Sequence, residues 1–217
     1  MKVQELSRFQ KLSVKKQLDP HFSFNAVNTF GSLIYGDSKE KAYTYLLRFS
    51  DLLRNQLTSS DKLLIPLENE INTTKDFLAL QSERLRNKLR FEMDVSSDIN
   101  QQMLVPRLCI QTYVENAIKH GLKPKGGEGE IKVTVYKQNN FVQIEITDNG
   151  IGRVKAKQSP EFSTGKGLES MEHLYEYINK ESKDKIEINI EDLYDEQGNA
   201  AGTRVRLMVP EGLWERV

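Results

Sequence analysis

From Lys2 to about Ser60 the chain shows no β-like segment, and from Ile65 onward helix-period and alternating stretches interleave. That division constrains the fold more than any single motif does. In the first part Val3, Leu6, Phe9 or Gln10, Val14 and Leu18 recur at three-to-four spacing, and Val27, Phe30 and Ile34 continue it. The stretch Gly36–Ala42 breaks the pattern, with Ser38 as the cap of a second helix. The apolar set of that helix is Ala42, Tyr45, Leu46, Phe49, Leu52, Leu53 and Leu57. Two amphipathic helices with a short connection predict a helical hairpin. Alone, a hairpin has too little core, so it predicts pairing with a second copy into a four-helix bundle.

The second part predicts a helix over residues 65–88, starting after Pro66, and a strand over Leu89–Val95. Val105–Gly121 predicts a helix with Pro106 in its first turn, where proline is tolerated. Glu130–Gln138 and Phe141–Asp148 predict an antiparallel pair joined at Asn139–Asn140. The Gly- and Ser-containing stretch Gly150–Lys166 leads into a helix over Gly167–Asn179, and Lys185–Asp192 and Thr203–Pro210 close the chain as strands. Interleaved in this way, the elements predict an α+β chain. Residues 1–60 form the hairpin, and residues 61–217 form two layers, a mixed sheet with helices on one face.

Composition removes several classes. Lys plus Arg and Asp plus Glu are 31 each, so no net field draws the chain to nucleic acid or an anionic membrane. The single Cys109 excludes an intramolecular disulfide and fits a reducing compartment. No apolar run approaches the roughly 18 residues that span a bilayer. No signal peptide is present, and the reading is of a soluble chain without membrane contact of its own.

Three clusters in the second part carry chemistry. Asp148–Gly152 (DNGIG) ends a strand; a carboxylate there can accept from an exocyclic amine while the glycines let backbone approach a flat ring. Ser163–Met171 (STGKGLESM) is a glycine-rich loop entering a helix, where backbone N–H groups can hold phosphate. Glu115–Gly121 (ENAIKHG) places Asn116, Lys119 and His120 at i, i+3 and i+4 of a helix, offering an oxygen ligand for Mg²⁺ and positive charge for phosphates. Each cluster alone also has an ordinary reading. DNG is usually a turn, and Asn116 and His120 can serve as helix-end caps. In the first part, Pro20 interrupts a helical pattern just before His21. There too the ordinary reading is a structural histidine behind a kink.

Taken together, these residues resemble the ATP-binding domain of the GHKL superfamily, specifically the LytS-type sensor histidine kinases. The resemblance covers nearly the whole chain. Pro20-His21-Phe22-Ser23-Phe24-Asn25 stands for the family's P-H-F-L-F-N phosphoacceptor motif, and Phe49–Arg54 for its L-S-x-L-L-R segment. The E-N-A-x-K-H-G nucleotide box is matched residue for residue at Glu115–Gly121. D-N-G-x-G is matched at Asp148–Gly152, and the terminal G-T at Gly202–Thr203.

The resemblance implies a GHKL (Bergerat) sandwich after the hairpin, and a kinase that moves the γ-phosphoryl group of ATP onto His21. Glu115 and Asn116 join His21 as catalytic residues, with Asn116 holding Mg²⁺. Lys119 and His120 lie near the phosphates. Asp148 reads the adenine amino group, supported by Gly150, Gly152 and Thr203, and Gly165, Gly167 and Leu168 shape a lid. The kink at Pro20 frees the carbonyl near Lys16 and lets the helix bend toward the nucleotide. The implied partners are a second copy through the N-terminal helices and a response regulator, in this family often of LytTR type. The implied parent is anchored in the inner membrane, with this part in the cytoplasm. Ser23, Ser170, Leu174 and Tyr175 depart from the family pattern. His173 is expected on a helix surface, and Cys109, Tyr43, Tyr45 and Tyr113 in packing. A degenerate GHKL module that only binds nucleotide or a partner, and a GHKL serine kinase, stay open as alternatives.

Overall fold

The computed structural model describes residues 20–36, 39–58, 62–158 and 166–213. The helical pattern before Leu18, the carbonyl near Lys16, the Ser38 cap and the Ser163–Gly165 part of the loop lie outside the described residues.

The expected hairpin is formed by α1 (Pro20–Tyr35) and α2 (Lys39–Thr58). Its core partner lies within the same chain. Ala26, Tyr45 and Leu52 are buried in one cluster with Phe77 and Leu78 of α3 (Leu67–Arg84). The Phe22 ring centre lies 6.0 Å from that of Phe49 and 5.6 Å from that of Phe77. Another set of apolar side chains, Phe24, Val27, Ile34, Leu46, Leu47 and Leu57, is left exposed. Tyr43, expected to pack, is exposed as well, whereas Tyr45 and Tyr113 are buried.

Helix α3 starts after Pro66 as expected but ends at Arg84, short of Lys88. Arg86 and Asn87 take φ of 52° and 59°, and left-handed residues cannot continue a right-handed helix. The helix expected over Val105–Gly121 also begins late. Leu104–Pro106 (β3) instead pairs antiparallel with Leu64–Pro66 (β1), Ile65 opposite Val105. Pro106 therefore ends a short ladder rather than opening a helix, a place where its missing N–H costs little. The helix proper, α4, spans Gln111–Asn116 and passes into a π-helical stretch, Ala117–Leu122. There the Lys123 N–H donates to the Ile118 carbonyl at 2.9 Å.

Strands β2 (Leu89–Val95), β4 (Gly129–Gln138), β5 (Phe141–Asp148), β6 (Glu187–Tyr194) and β7 (Ala200–Pro210) form one sheet. Their order is β2-β4-β5-β7-β6. Only β2 and β4 run parallel, so the sheet is mixed, as expected. Period-two alternation sends Ile131, Val133 and Val135, then Val142, Ile144 and Ile146, then Val205, Leu207 and Val209 into the core. They cluster there with Leu174, Tyr175 and Ile178 of α6 (Lys166–Glu181). Burying one such side chain fully stabilises by about 1.5–3 kcal/mol. The opposite face carries ion pairs: Arg206 with Glu145 at 2.8 Å and Glu191 at 2.6 Å, and Lys132 with Glu92 at 3.0 Å. Such solvent-facing pairs stabilise little, and they mark the face that none of the described helices covers.

The loop after DNGIG contains a short helix, α5 (Gly152–Lys157), where the sequence shows no periodic apolar signal. Two bonds from Arg153 to Asp192 of β6, at 2.9 and 3.0 Å, tie α5 to the edge strand.

Candidate functional site

The last residue of β5, Asp148, lies opposite Ile131 of β4 and Thr203 of β7. Its carboxylate is 7% exposed and accepts the Gly150 N–H through Oδ1 at 2.8 Å. Burial pushes its pKa up to about 6, against the pull of the Gly150 and Thr203 backbone N–H groups and the Lys125 charge.

Two glycines explain how the carboxylate reaches this position. A Cβ on Gly150 would stand 2.5 Å from the Gly121 Cα, so the DNGIG turn is pressed backbone to backbone against the end of the π-helical stretch. The Ile151 N–H donates to the Gly121 carbonyl across that contact, at 3.1 Å. Gly202 has φ of +137°, and a Cβ there would meet the Asp148 carbonyl oxygen at 1.9 Å. Only glycine fits. Asn149 completes the turn, its Oδ1 accepting the Glu130 N–H at 2.9 Å while its carbonyl accepts from Lys125 Nζ at 2.8 Å.

Asn116 closes α4, and Glu115 beside it accepts from Gln111 Nε2 at 2.7 Å. Asn116 and His120 are half-buried while Lys119 is exposed. The π-helical turn intervenes, so the single α-helical face predicted for the three is not retained unchanged. Burial first, then the Lys119 charge, lowers the His120 pKa, which keeps that imidazole neutral at pH 7. The contact of Gly121 with Gly150 thus sets the π-helical stretch that carries His120 against the ends of β5 and β7, where Asp148 and Thr203 stand.

Gly167 and Leu168 lie half-buried in the first turn of α6, and Gly165 is outside the described residues. His21 lies in the first turn of α1. Cys109 is buried and free, and His173 is exposed near Glu169 and Glu176, both as expected.

Sequence reasoning missed Glu70. This α3 carboxylate is fully buried and accepts three backbone N–H groups at the entry of α4: Leu108 at 3.0 Å, Ile110 at 2.9 Å and Gln111 at 3.2 Å. It caps from another helix the donors that the start of α4 leaves unmet. Leu108 is held left-handed at φ of 64° to present its N–H. Burial raises the Glu70 carboxyl, opposed by those bonds and by the charge of buried Arg107. A carboxylate on the same helical stripe as Leu67, Ile71, Thr74 and Leu78 was the available signal.

Two family models match the chain. Residues 9–89 match the family model described as histidine kinase. Residues 104–213 match that of histidine kinase-, DNA gyrase B-, and HSP90-like ATPases.

The chain belongs to the histidine kinase family.

Among its relatives, the sensor protein LytS of Bacillus cereus is 37% identical over 140 residues, 64% of this chain and 23% of that protein. LytS of Staphylococcus saprophyticus is 35% identical over 167 residues, 73% of this chain and 28% of that protein. The chain spans about a quarter of the length of these LytS proteins. The histidine kinase domain of the Erythrobacter litoralis blue-light activated histidine kinase superposes with a TM-score of 0.51 at 14% identity, covering 97% of this chain and 98% of that one. At that identity the likeness concerns the fold, and the GHKL architecture expected from the sequence is the one observed.

In this histidine kinase chain two departures from the family pattern have a structural account. Leu174 and Tyr175 are buried in the core, with the Tyr175 hydroxyl 3.4 Å from that of Tyr113. Both serve packing. Ser170 is half-buried on α6, and Ser23 is half-buried on α1.

GHKL ATPase domains bind ATP, generally with Mg²⁺, and the residues present fit that ion. Mg²⁺ takes one or two protein oxygens and completes its shell with substrate phosphates and water. Among the described residues no group of three or more His, Cys, Asp or Glu could hold a metal by itself. Among the described residues Asn116 Nδ2 is buried without a hydrogen-bond partner, and the oxygen of the same amide is of the kind Mg²⁺ takes. No described helix is long and apolar enough to cross a membrane.

Proposed function

We propose that this chain is the autophosphorylating core of a two-component sensor kinase, with His21 as the phosphoacceptor. The observation that carries the reading is the buried carboxylate of Asp148, pressed between glycine backbones at the end of the helix that bears Asn116. Oδ1 accepts the Gly150 N–H and the Thr203 backbone N–H bonds the same carboxylate, which still has lone pairs to accept from the adenine amino group. Gly150, Gly152 and Thr203 shape the slot for the ring. Asn116, with Glu115 beside it, holds Mg²⁺, which neutralises phosphate charge when bound. Lys119 and His120 approach the phosphates, and Gly165, Gly167 and Leu168 belong to the lid that covers them.

The neutral imidazole of His21 attacks the γ-phosphorus, the bond to the bridging oxygen breaks and ADP leaves, and the ring sheds its proton to solvent. Such transfer is mostly positioning and charge neutralisation. Residues 1–60 are the phosphotransfer and dimerisation part, and residues 61–217 the nucleotide-binding part. The phosphoryl group then passes to an aspartate of a response regulator, of LytTR type. The whole protein is anchored in the inner membrane, with this part in the cytoplasm.

Incubation with γ-labelled ATP and Mg²⁺ tests the reading. The native chain is expected to acquire acid-labile label and His21→Gln none. Label that persists in His21→Gln removes His21 as the acceptor, and binding without label identifies a degenerate module.

The exposed apolar side chains of the hairpin support dimerisation. Val27→Glu combined with Leu46→Glu is expected to convert a dimer to a monomer by sedimentation at micromolar concentration, with the helix content retained. A native chain that sediments as a monomer counts against the bundle.

A further inference from the structure

Helix α3 packs against α1, α2 and α4, so it touches both the helix of His21 and the helix of Asn116. Its two ends of contact are specific. Near its start, Glu70 holds the entry of α4 through three backbone N–H groups. Seven residues on, nearly two helical turns and roughly 10 Å along the axis, Phe77 packs against Phe22, ring centres 5.6 Å apart and planes tilted by 33°. Phe22 is the residue next to His21. Phe77 is 5% exposed, and Phe49 supports Phe22 from α2, 6.0 Å away. The turn that carries His21 is thereby held by a ring packed against Phe49 and Phe77, the latter on the same helix that holds the start of α4.

We propose that Phe77 is a positioning residue for phosphoryl transfer: through Phe22 it sets where the His21 turn stands relative to the nucleotide helix held by Glu70. This rests on the reading of His21 as the phosphoacceptor. In this role Phe77 acts through Phe22 and not on the reacting atoms. Its effect comes through geometry, and in-line transfer is steep in geometry, because a misplacement of about 1 Å can cost on the order of 100-fold in rate.

Phe77→Leu keeps an apolar side chain in the α3 core while losing the ring, and Phe22→Leu removes the same contact from the other side. Single-turnover phosphorylation of His21 at saturating ATP is measured for the native chain, both single variants and the double variant, with ATP affinity measured separately by calorimetry. Phe77→Leu is expected to slow phosphorylation about tenfold with the Kd for ATP within about twofold, a rate effect that a general loss of folding would not separate from binding. The double variant is expected to be no slower than the slower single variant, as two halves of one contact require.

A native rate in Phe77→Leu overturns the proposal. So does a faster rate, which would make the contact a restraint, and so does a loss of ATP affinity that matches the loss of rate. Additive effects in the double variant overturn it as well. A native chain that takes no label on His21 overturns the phosphoacceptor reading and this inference together, whereas a labelled native chain indifferent to Phe77 overturns this inference alone.

Discussion

Asp148→Asn will make the nucleotide-free protein more stable at pH 7.5 and weaken its binding of ATP by about 100-fold or more. Both effects follow from one buried carboxylate. Its pKa rises from 3.8 to about 6 because burial penalises the charge. A shift of that size corresponds to about 3 kcal/mol. A folded-state pKa above the unfolded one means that the folded chain holds the proton more tightly. The contribution of Asp148 to stability is therefore fully present below about pH 4 and lost as pH rises through about 6. Asn carries no charge to desolvate, so the variant gains up to about 3 kcal/mol at pH 7.5 and close to nothing at pH 4. Binding goes the other way. In Asn one oxygen becomes an NH₂ group, and with an oxygen still needed by the Gly150 N–H, a donor faces the adenine amino group. Losing a charge-assisted bond and opposing two donors costs about 3 kcal/mol, or roughly 100-fold. Melting curves at the two pH values and calorimetry with ATP check both arms. For the native protein, affinity for ATP is expected to fall as pH drops through 6. A variant that binds ATP as the native chain does would remove Asp148 from the adenine contact.

Glu70→Ala is expected to cost about 3–5 kcal/mol of folding stability, because buried donors left without an acceptor cost about 1–3 kcal/mol each. Two consequences add together. The N–H groups of Leu108, Ile110 and Gln111 lose their acceptor, and buried Arg107 loses the nearby negative charge. Against a total stability of about 5–15 kcal/mol, this is a large share. Glu70→Gln is expected to fall between the two. Its remaining oxygen can still serve Ile110 and Gln111, which both use Oε1, while its NH₂ would face the Leu108 N–H that Oε2 accepts. Urea unfolding of the three proteins gives the comparison. An alanine variant as stable as the native chain would show that solvent or relaxed backbone satisfies the entry of α4 equally well.

Much of the fold was legible because period and turn chemistry were local. Leu89–Val95 and Phe141–Asp148 alternate with no interruption, and the strands fall on those residues. Asn139 supplies the left-handed φ of 56° that a tight turn between β4 and β5 requires. The start of α3 after Pro66 followed for the same reason. What misled was proline at Pro106, whose restrictions suit a first helical turn and the end of an edge strand equally well. The pairing of Leu104–Pro106 with Leu64–Pro66 joins segments far apart in sequence, and no local signal announces it. Helix α5 was missed because six residues are too few to show a period.

The sequence by itself determined the alternation of helices and strands, the mixed sheet that it implies, and the identity of the chemical groups at Asn116, His120, Asp148 and His21. Local spacing and residue type are sufficient for that, since each group is defined by its own side chain and each element by its own pattern. Tertiary structure alone decided that Gly121 and Gly150 meet backbone to backbone, that Glu70 caps a helix to which it does not belong, and that Phe22 packs against Phe77. Contacts between distant segments depend on how whole layers pack. The protonation of Asp148 belongs with them, because only the burial supplied by three separate segments moves that carboxyl away from its ordinary range.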